Sequence, residues 1–169
     1  MELLQTQRFH YAGFWMRFAA YLIDNIICSF IAGIVFVPVS LITGISMFSL
    51  FKNDLSEEEQ VAFAVGIIGM IAIMVLIVII IQWLYYALQE SSVQQATIGK
   101  RAMGIIVTDM DGNRITFLNA TGRHFGKIIS GAIMNIGYII AGFTEKKQAL
   151  HDIMANCLVI KKPFVIPEL

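Results

Sequence analysis

Charge is what this sequence has least of. Asp, Glu, Lys and Arg make up 14% of its 169 residues, where an ordinary soluble domain carries about 25%. Twelve basic and twelve acidic residues cancel, so no basic excess offers a footprint for nucleic acid, and no nucleic-acid partner is expected. Cysteine is scarce too: Cys28 and Cys157 make neither a metal-ligand spacing nor a disulfide framework. No serine or cysteine nucleophile stands at a recognisable spacing from a histidine. His151 and Asp152 are sequence neighbours, and adjacent residues on a helix do not face each other. Thr97-Ile98-Gly99-Lys100 resembles the tail of a phosphate-binding loop, but Gln94 stands where its upstream glycine belongs, and no strand leads in. A tight turn feeding the next segment is expected there. No enzymatic activity, cofactor or metal is expected.

What the sequence has instead is apolar surface. Hydrophobic residues are 57% of the chain and are gathered in blocks, the pattern of a protein that meets lipid. A single membrane domain over residues 1–169 is expected, all-α in class. Val61 to Leu84 carries no charge and one strongly polar side chain, Gln82. A helix of about 20 apolar residues crosses a roughly 30 Å hydrocarbon core, so a span over 61–84 is predicted. Trp83, Tyr85 and Tyr86 at its end match an interfacial aromatic belt. The earlier run, Phe18 to Phe51, is interrupted by Asp24, Asn25, Pro38 and Gly44. As one helix it would measure on the order of 50 Å, too long for one crossing. The span is therefore placed at 17–39, with Ser40 to Phe51 as a bent extension or outer interfacial segment.

Loop charges set the orientation. Lys52 to Gln60 holds one Lys against Asp54, Glu57, Glu58 and Glu59, whereas Lys100, Arg101, Arg114, Arg123 and Lys127 follow the second span. Basic loops stay inside, so the amino terminus, with Arg8 and Arg17, is placed in the cytoplasm of a multi-pass inner or plasma membrane protein. A third apolar segment, residues 123–143, is interrupted by Gly126, Gly131, Gly137 and Gly142, with Asn135 mid-way. A full crossing would put Lys146, Lys147, Lys161 and Lys162 outside, against the same charge rule. A helix pair that dips in and returns near Asn135 to Gly137 keeps them inside, provided that its irregular backbone is covered by protein. The re-entrant form is favoured, with a plain third span as the alternative. Between these segments, residues 104–117 read GIIVTDMDGNRITF, and Asp111-Gly112 between two β-branched runs favours a small cytoplasmic β-hairpin. Cys157 to Lys161, within the carboxy-terminal amphipathic and strand-forming segment 144–162, can add a third strand if the chain returns.

Asp24 is the most informative single residue. An ionisable group inside a span costs roughly 2.5 to 3.5 kcal/mol on insertion scales, so its face should look into protein or water. Arg17 lies two helical turns earlier on that face, and Tyr21 and Cys28 complete the stripe. Two readings stand side by side: a polar lock between helices, or an ion or proton site where burial and counter-charges tune the carboxylate. Gln82, Tyr85, Tyr86 and Gln89, with Tyr21 opposite, make a secondary polar stripe better suited to helix–helix contact than to a substrate path.

These pieces together resemble the RDD family of small membrane proteins, named for one arginine and two aspartates. RFAAYLID carries Arg17 and Asp24, ATIGKRAMGIIVTDMDGNRITF is similar to the family's turn-and-strand signature with its Gly-Lys, Arg123 opens the third segment, and QALHDIMANCLVIKK carries Asp152. Ile98 stands where many relatives have proline. The resemblance implies a membrane protein without a settled biochemical function, with transport of ions or small solutes, including sodium–proton antiport, suggested for some members. It implies Arg17, Asp24 and Asp152 as the site. Arg17 is then expected to pair with Asp152, leaving Arg123 as the counter-charge of Asp24. Because two or three helices enclose little space, the expected partners beyond the lipid bilayer are further copies of the chain or another membrane protein. Transport is the expected function, and a non-catalytic accessory or regulatory subunit is the alternative.

Overall fold

Two long apolar stretches dominate the chain, and each becomes one helix. The computed structural model describes residues 9–52, 56–132 and 136–162. Arg8, Asp54 and Asn135, on which parts of the orientation and turn readings rest, lie outside them. Helix α1 runs Phe14–Lys52 and α2 runs Glu57–Glu90. Both spans read from the sequence lie inside these longer helices. The expected extension after residue 39 is helical, since α1 continues through Pro38 to Lys52. Proline has no N–H to give the Ile34 carbonyl one turn earlier, and just past it the Ser40 hydroxyl donates to the Phe36 carbonyl at 2.9 Å and to that of Val37 at 3.0 Å. Helix α2 starts earlier than predicted because Ser56 and Glu59 form a reciprocal cap: Glu59 N–H donates to Ser56 Oγ, and the Glu59 carboxylate accepts from Ser56 N–H at 3.0 Å.

The chain divides into two compact units, Asn25–Gln82 and the remainder, Met1–Asp24 with Trp83–Leu169. In the first unit, Ile26, Phe30, Ile34, Leu41, Ile45, Val61, Val65, Ile68 and Ile73 are 61–71% exposed. Helices apolar on every side need an apolar surrounding, and both are long and apolar enough to cross a membrane.

The second unit is built around a small sheet. Strand β1, Ile105–Thr108, pairs antiparallel with β2, Leu158–Lys161, in the register Ile105↔Lys161 to Thr108↔Leu158. The hairpin reversal is present: Asp109 N–H donates to Asn113 O at 2.9 Å, and Gly112 takes φ +88°. Its ladder partner differs from expectation, since Ile115 and Thr116 form no strand and Phe117 already opens α4, Phe117–Ala132. The carboxy-terminal segment supplies the strand, and residues 10–12 extend the sheet through Ala12 N–H to Val159 O at 2.9 Å and Lys161 N–H to His10 O at 2.7 Å. Ile105, Val107, Cys157 and Val159 of this sheet pack on Ala12, Ala20, Ala87, Ile115 and Ala120. The alanines let helix backbones approach the sheet closely.

The third apolar segment is not one helix. After α4, the short α5, Ile136–Ile139, and a 3-10 turn, Ile140–Gly142, follow. A Cβ on Gly137 would sit 2.6 Å from Ser130 Oγ, although seven residues along a straight helix span about 10 Å. Gly137 therefore lies back beside Ser130. Helix α3, Ile98–Ala102, and α6, Leu150–Met154, complete the unit.

Candidate functional site

Two buried acid sites lie in the second unit. The first is Asp24, 1% exposed near the start of α1. Its carboxylate accepts from Tyr85 Oη at 2.8 Å, Thr97 Oγ1 at 2.6 Å and Gly99 N–H at 2.8 Å. Thr97 also caps α3, accepting from Lys100 N–H at 3.3 Å. Gly99 is required here: a Cβ would overlap the Ala20 carbonyl oxygen and lie 2.8 Å from Asp24 Cγ. The turn read as a superficial phosphate loop is thus the clasp that Asp24 holds.

The second site is an ion-pair network. Asp152 on α6 accepts from Arg17 Nη1 and from Arg123 Nε at 2.7 Å, and its Oδ2 also takes Ala149 N–H at 3.1 Å. Arg17 further donates to the carbonyls of Ala12 at 3.0 Å and Lys147 at 2.5 Å. Arg123 continues to Glu90, whose Oε2 lies 2.8 Å from its Nη1. Glu90 Oε1 takes Lys100 Nζ and, at 3.3 Å, Lys127 Nζ. The Lys127 ammonium also lies 4.2 Å from the Tyr86 ring centroid. Four cations thus face two carboxylates with almost no water contact. Such pairs are stabilising only when every lone pair is met, and here each carboxylate oxygen has a donor.

Burial and neighbours shift these groups. Desolvation, reinforced by Arg123, pushes the Lys100 ammonium down to about 7 against the opposing pull of Glu90. Burial alone would raise the Asp152 carboxyl, but the Arg123 and Arg17 guanidiniums hold it well below the usual carboxylate range. Burial takes His151 down to about 3, so it is neutral. Its ring reaches back to put Nε2 3.5 Å from Asp152 Oδ1, a closer approach than sequence neighbours on a helix were expected to make. Burial pushes the Cys157 thiol up to about 11.

Of the residues singled out in the sequence, Arg17, Arg123 and Asp152 come together and Asp24 stays apart. The expected Asp24–Arg123 pairing is not formed, because Arg123 is taken by Asp152 and Glu90 while Asp24 is satisfied by neutral donors. In the secondary stripe only Tyr85 touches Asp24; Gln82 and Gln89 are half-buried and Tyr21 is 49% exposed. The face shared by Tyr21 and Asp24 is therefore not uniformly covered. Sequence reasoning missed Glu90, Lys100 and Lys127. A signal was there: Glu90 is an acid directly after the polar stripe, followed by lysines and an arginine in need of a partner. Among the described residues, no three of His, Cys, Asp and Glu group so as to hold a metal ion.

The sequence matches the RDD family over residues 11–156. It is 38% identical over 158 residues to the uncharacterized protein YxaI of Bacillus subtilis (strain 168), covering 89% of this chain and 97% of that one. It is 28% identical over 156 residues to the uncharacterized membrane protein YteJ of the same organism, covering 89% of this chain and 80% of that one. No solved structure matches the chain.

Proposed function

The chain belongs to the RDD family and is a small membrane protein, and from that premise we propose that it exchanges a monovalent cation for a proton at the buried Glu90–Lys100 pair. The observation that carries this is the sharing of one buried carboxylate, Glu90, by three cations. Lys100, pushed down to about 7, is the partner that can let go near neutral pH. When its ammonium gives up a proton, the neutral amine releases Glu90 Oε1, and a cation from solution takes the freed lone pairs. One proton leaves as one cation arrives, so the charge of the buried site stays constant. Arg123 and Lys127 limit occupancy to a single positive charge. Asp24 serves in this scheme as the clasp of the α3 turn.

Two apolar helices enclose no pathway by themselves, so the working form is a homo-oligomer. The basic loops support a multi-pass plasma membrane protein whose amino terminus and residues 98–116 and 144–162 face the cytoplasm, with the exchange site at the inner boundary. The reading includes no catalytic step and no cofactor. A second reading, an accessory subunit that docks on another membrane protein, draws on the completeness of the network, since fully met ion pairs also serve as a rigid scaffold.

The test is proton flux in liposomes containing the purified chain, driven by sodium, potassium or lithium gradients. Flux is expected in the wild type, lost in Glu90→Gln and kept in Asp24→Asn molecules that remain folded. Wild-type liposomes silent with all three cations, together with a stoichiometric foreign partner in mild-detergent purification, would move the assignment to the accessory subunit.

A further inference from the structure

Helix α4 is amphipathic in the opposite sense to a helix in water. Arg123, Lys127 and Ser130 point inward beside Ala120 and are engaged by Glu90, Asp152 and the Gly126 carbonyl. The outer arc is Phe117, Leu118, Phe125, Ile128 and Ile129, 41–76% exposed. A surface helix of a soluble protein turns its apolar stripe inward and its charges out. Trp83, at the belt end of α2, packs on this arc, with ring centroids 5.9 Å from Phe117 and 6.4 Å from Phe125, and its Nε1–H donates to Thr121 Oγ1 at 3.2 Å. Past the arc the chain doubles back, with Gly137 against Ser130, and Phe143 emerges 86% exposed.

We infer that the outer face of α4 is a lipid-contact surface set among the acyl chains of one leaflet, and that residues 117–143 enter and leave on the same side of the membrane. Backbone at that depth needs cover by protein, and Gly137 lies against Ser130 of α4. The occupant is lipid and not a second copy. Membrane helix contacts rely on small or polar side chains that let backbones approach or fix register, whereas this arc is made of large apolar groups, its Thr121 hydroxyl already taken by the Trp83 indole and Gly122 at its edge. The charge network then lies directly under a hydrophobic roof. This inference does not depend on ion exchange and survives a silent flux assay.

The full chain, carrying Leu118→Cys, Phe125→Cys or Ile129→Cys one at a time, would be nitroxide-labelled and reconstituted in phosphatidylcholine–phosphatidylglycerol vesicles. Cys28 and Cys157 are buried, and the unsubstituted chain gives their background. Collisions with oxygen are expected to exceed those with a water-soluble nickel chelate at all three sites. Nickel dominance would overturn the lipid assignment, and so would dipolar broadening, which reports a second copy on the arc. For sidedness, Arg114→Cys and Lys146→Cys, at two exposed positions, would be probed with an impermeant maleimide in intact cells and in inverted vesicles. Labelling of both from the same side is expected; labelling from opposite sides overturns the return. Quenching of Trp83 by brominated lipid in a Trp15→Phe chain tests the same roof without touching α4, and its absence would count against it.

Discussion

Asp24 and Glu90 are both buried carboxylates, but their partners differ in kind. Asp24 is met by a phenol, a hydroxyl and a backbone N–H; Glu90 is met by two lysines and an arginine. Neutral donors fixed by a turn hold one geometry. Cations that outnumber the carboxylates hold a balance that shifts when one of them loses a proton. The difference separates a fixed clasp from an adjustable network, within one unit of the same chain.

The sharpest way to break that distinction is Arg123→Met. Among the described residues Arg123 is bonded to both Glu90 and Asp152, and its removal takes the donor from Glu90 Oε2 and from Asp152 Oδ1; breaking a buried pair typically costs about 3–5 kcal/mol. A large fall in thermal midpoint in detergent is expected. Gly99→Ala should come next, because the new methyl overlaps the Ala20 carbonyl and overpacking of this kind costs about 1–3 kcal/mol. It should open the Asp24 clasp while leaving the Glu90 pairs intact, so cation-driven flux per folded molecule should be retained. If Gly99→Ala abolished flux in protein that is still folded, the two sites would be one. Tyr85→Phe is smaller again: Asp24 keeps two of the three donors named above, and losing a hydrogen bond to a charged group costs about 1.5–3 kcal/mol at most, less where water or a neighbouring donor compensates.

Much of this was legible in the sequence, for physical reasons that can be named. The two long helices follow from long apolar runs, which leave the backbone no alternative in lipid. Strand β2 was legible in CLVIK only as a third strand, because sequence proximity favoured the Asp111-Gly112 hairpin as the nearer pairing. Tertiary contacts decided otherwise: Ile115 went to the core and Phe117 to the head of a helix. Asp24 stood out because a charge in an apolar run is conspicuous. Glu90 did not, because it lies past the apolar run, where acids are ordinary, and nothing in the spacing reveals that Lys100, Arg123 and Lys127 converge on it from α3 and α4. The expected Arg123–Asp24 pair failed on the same ground. Sequence spacing gives the face of one helix, but the choice among partners on other elements is made by packing.

The smallest expected effect concerns one proton and tests the adjustable half of the comparison directly. Lys100 is held near 7 in the folded chain against an ordinary value of 10.5. Between those values the unfolded state binds more protons than the folded one, so stability rises with pH across the window. The gain is complete above 10.5 and is lost as pH falls through 7, where burying the ammonium becomes costly. Measured between pH 7 and 8.5, below the range where Cys157, pushed up to about 11, would titrate in the fold, the wild-type thermal midpoint should climb slightly more steeply than that of Lys100→Met. Less than half of the window is sampled, so the difference is on the order of 1–2 kcal/mol at most. Equal slopes would mean that Lys100 keeps its proton throughout, which would make the Glu90 network as fixed as the Asp24 clasp and remove the chemical basis for exchange.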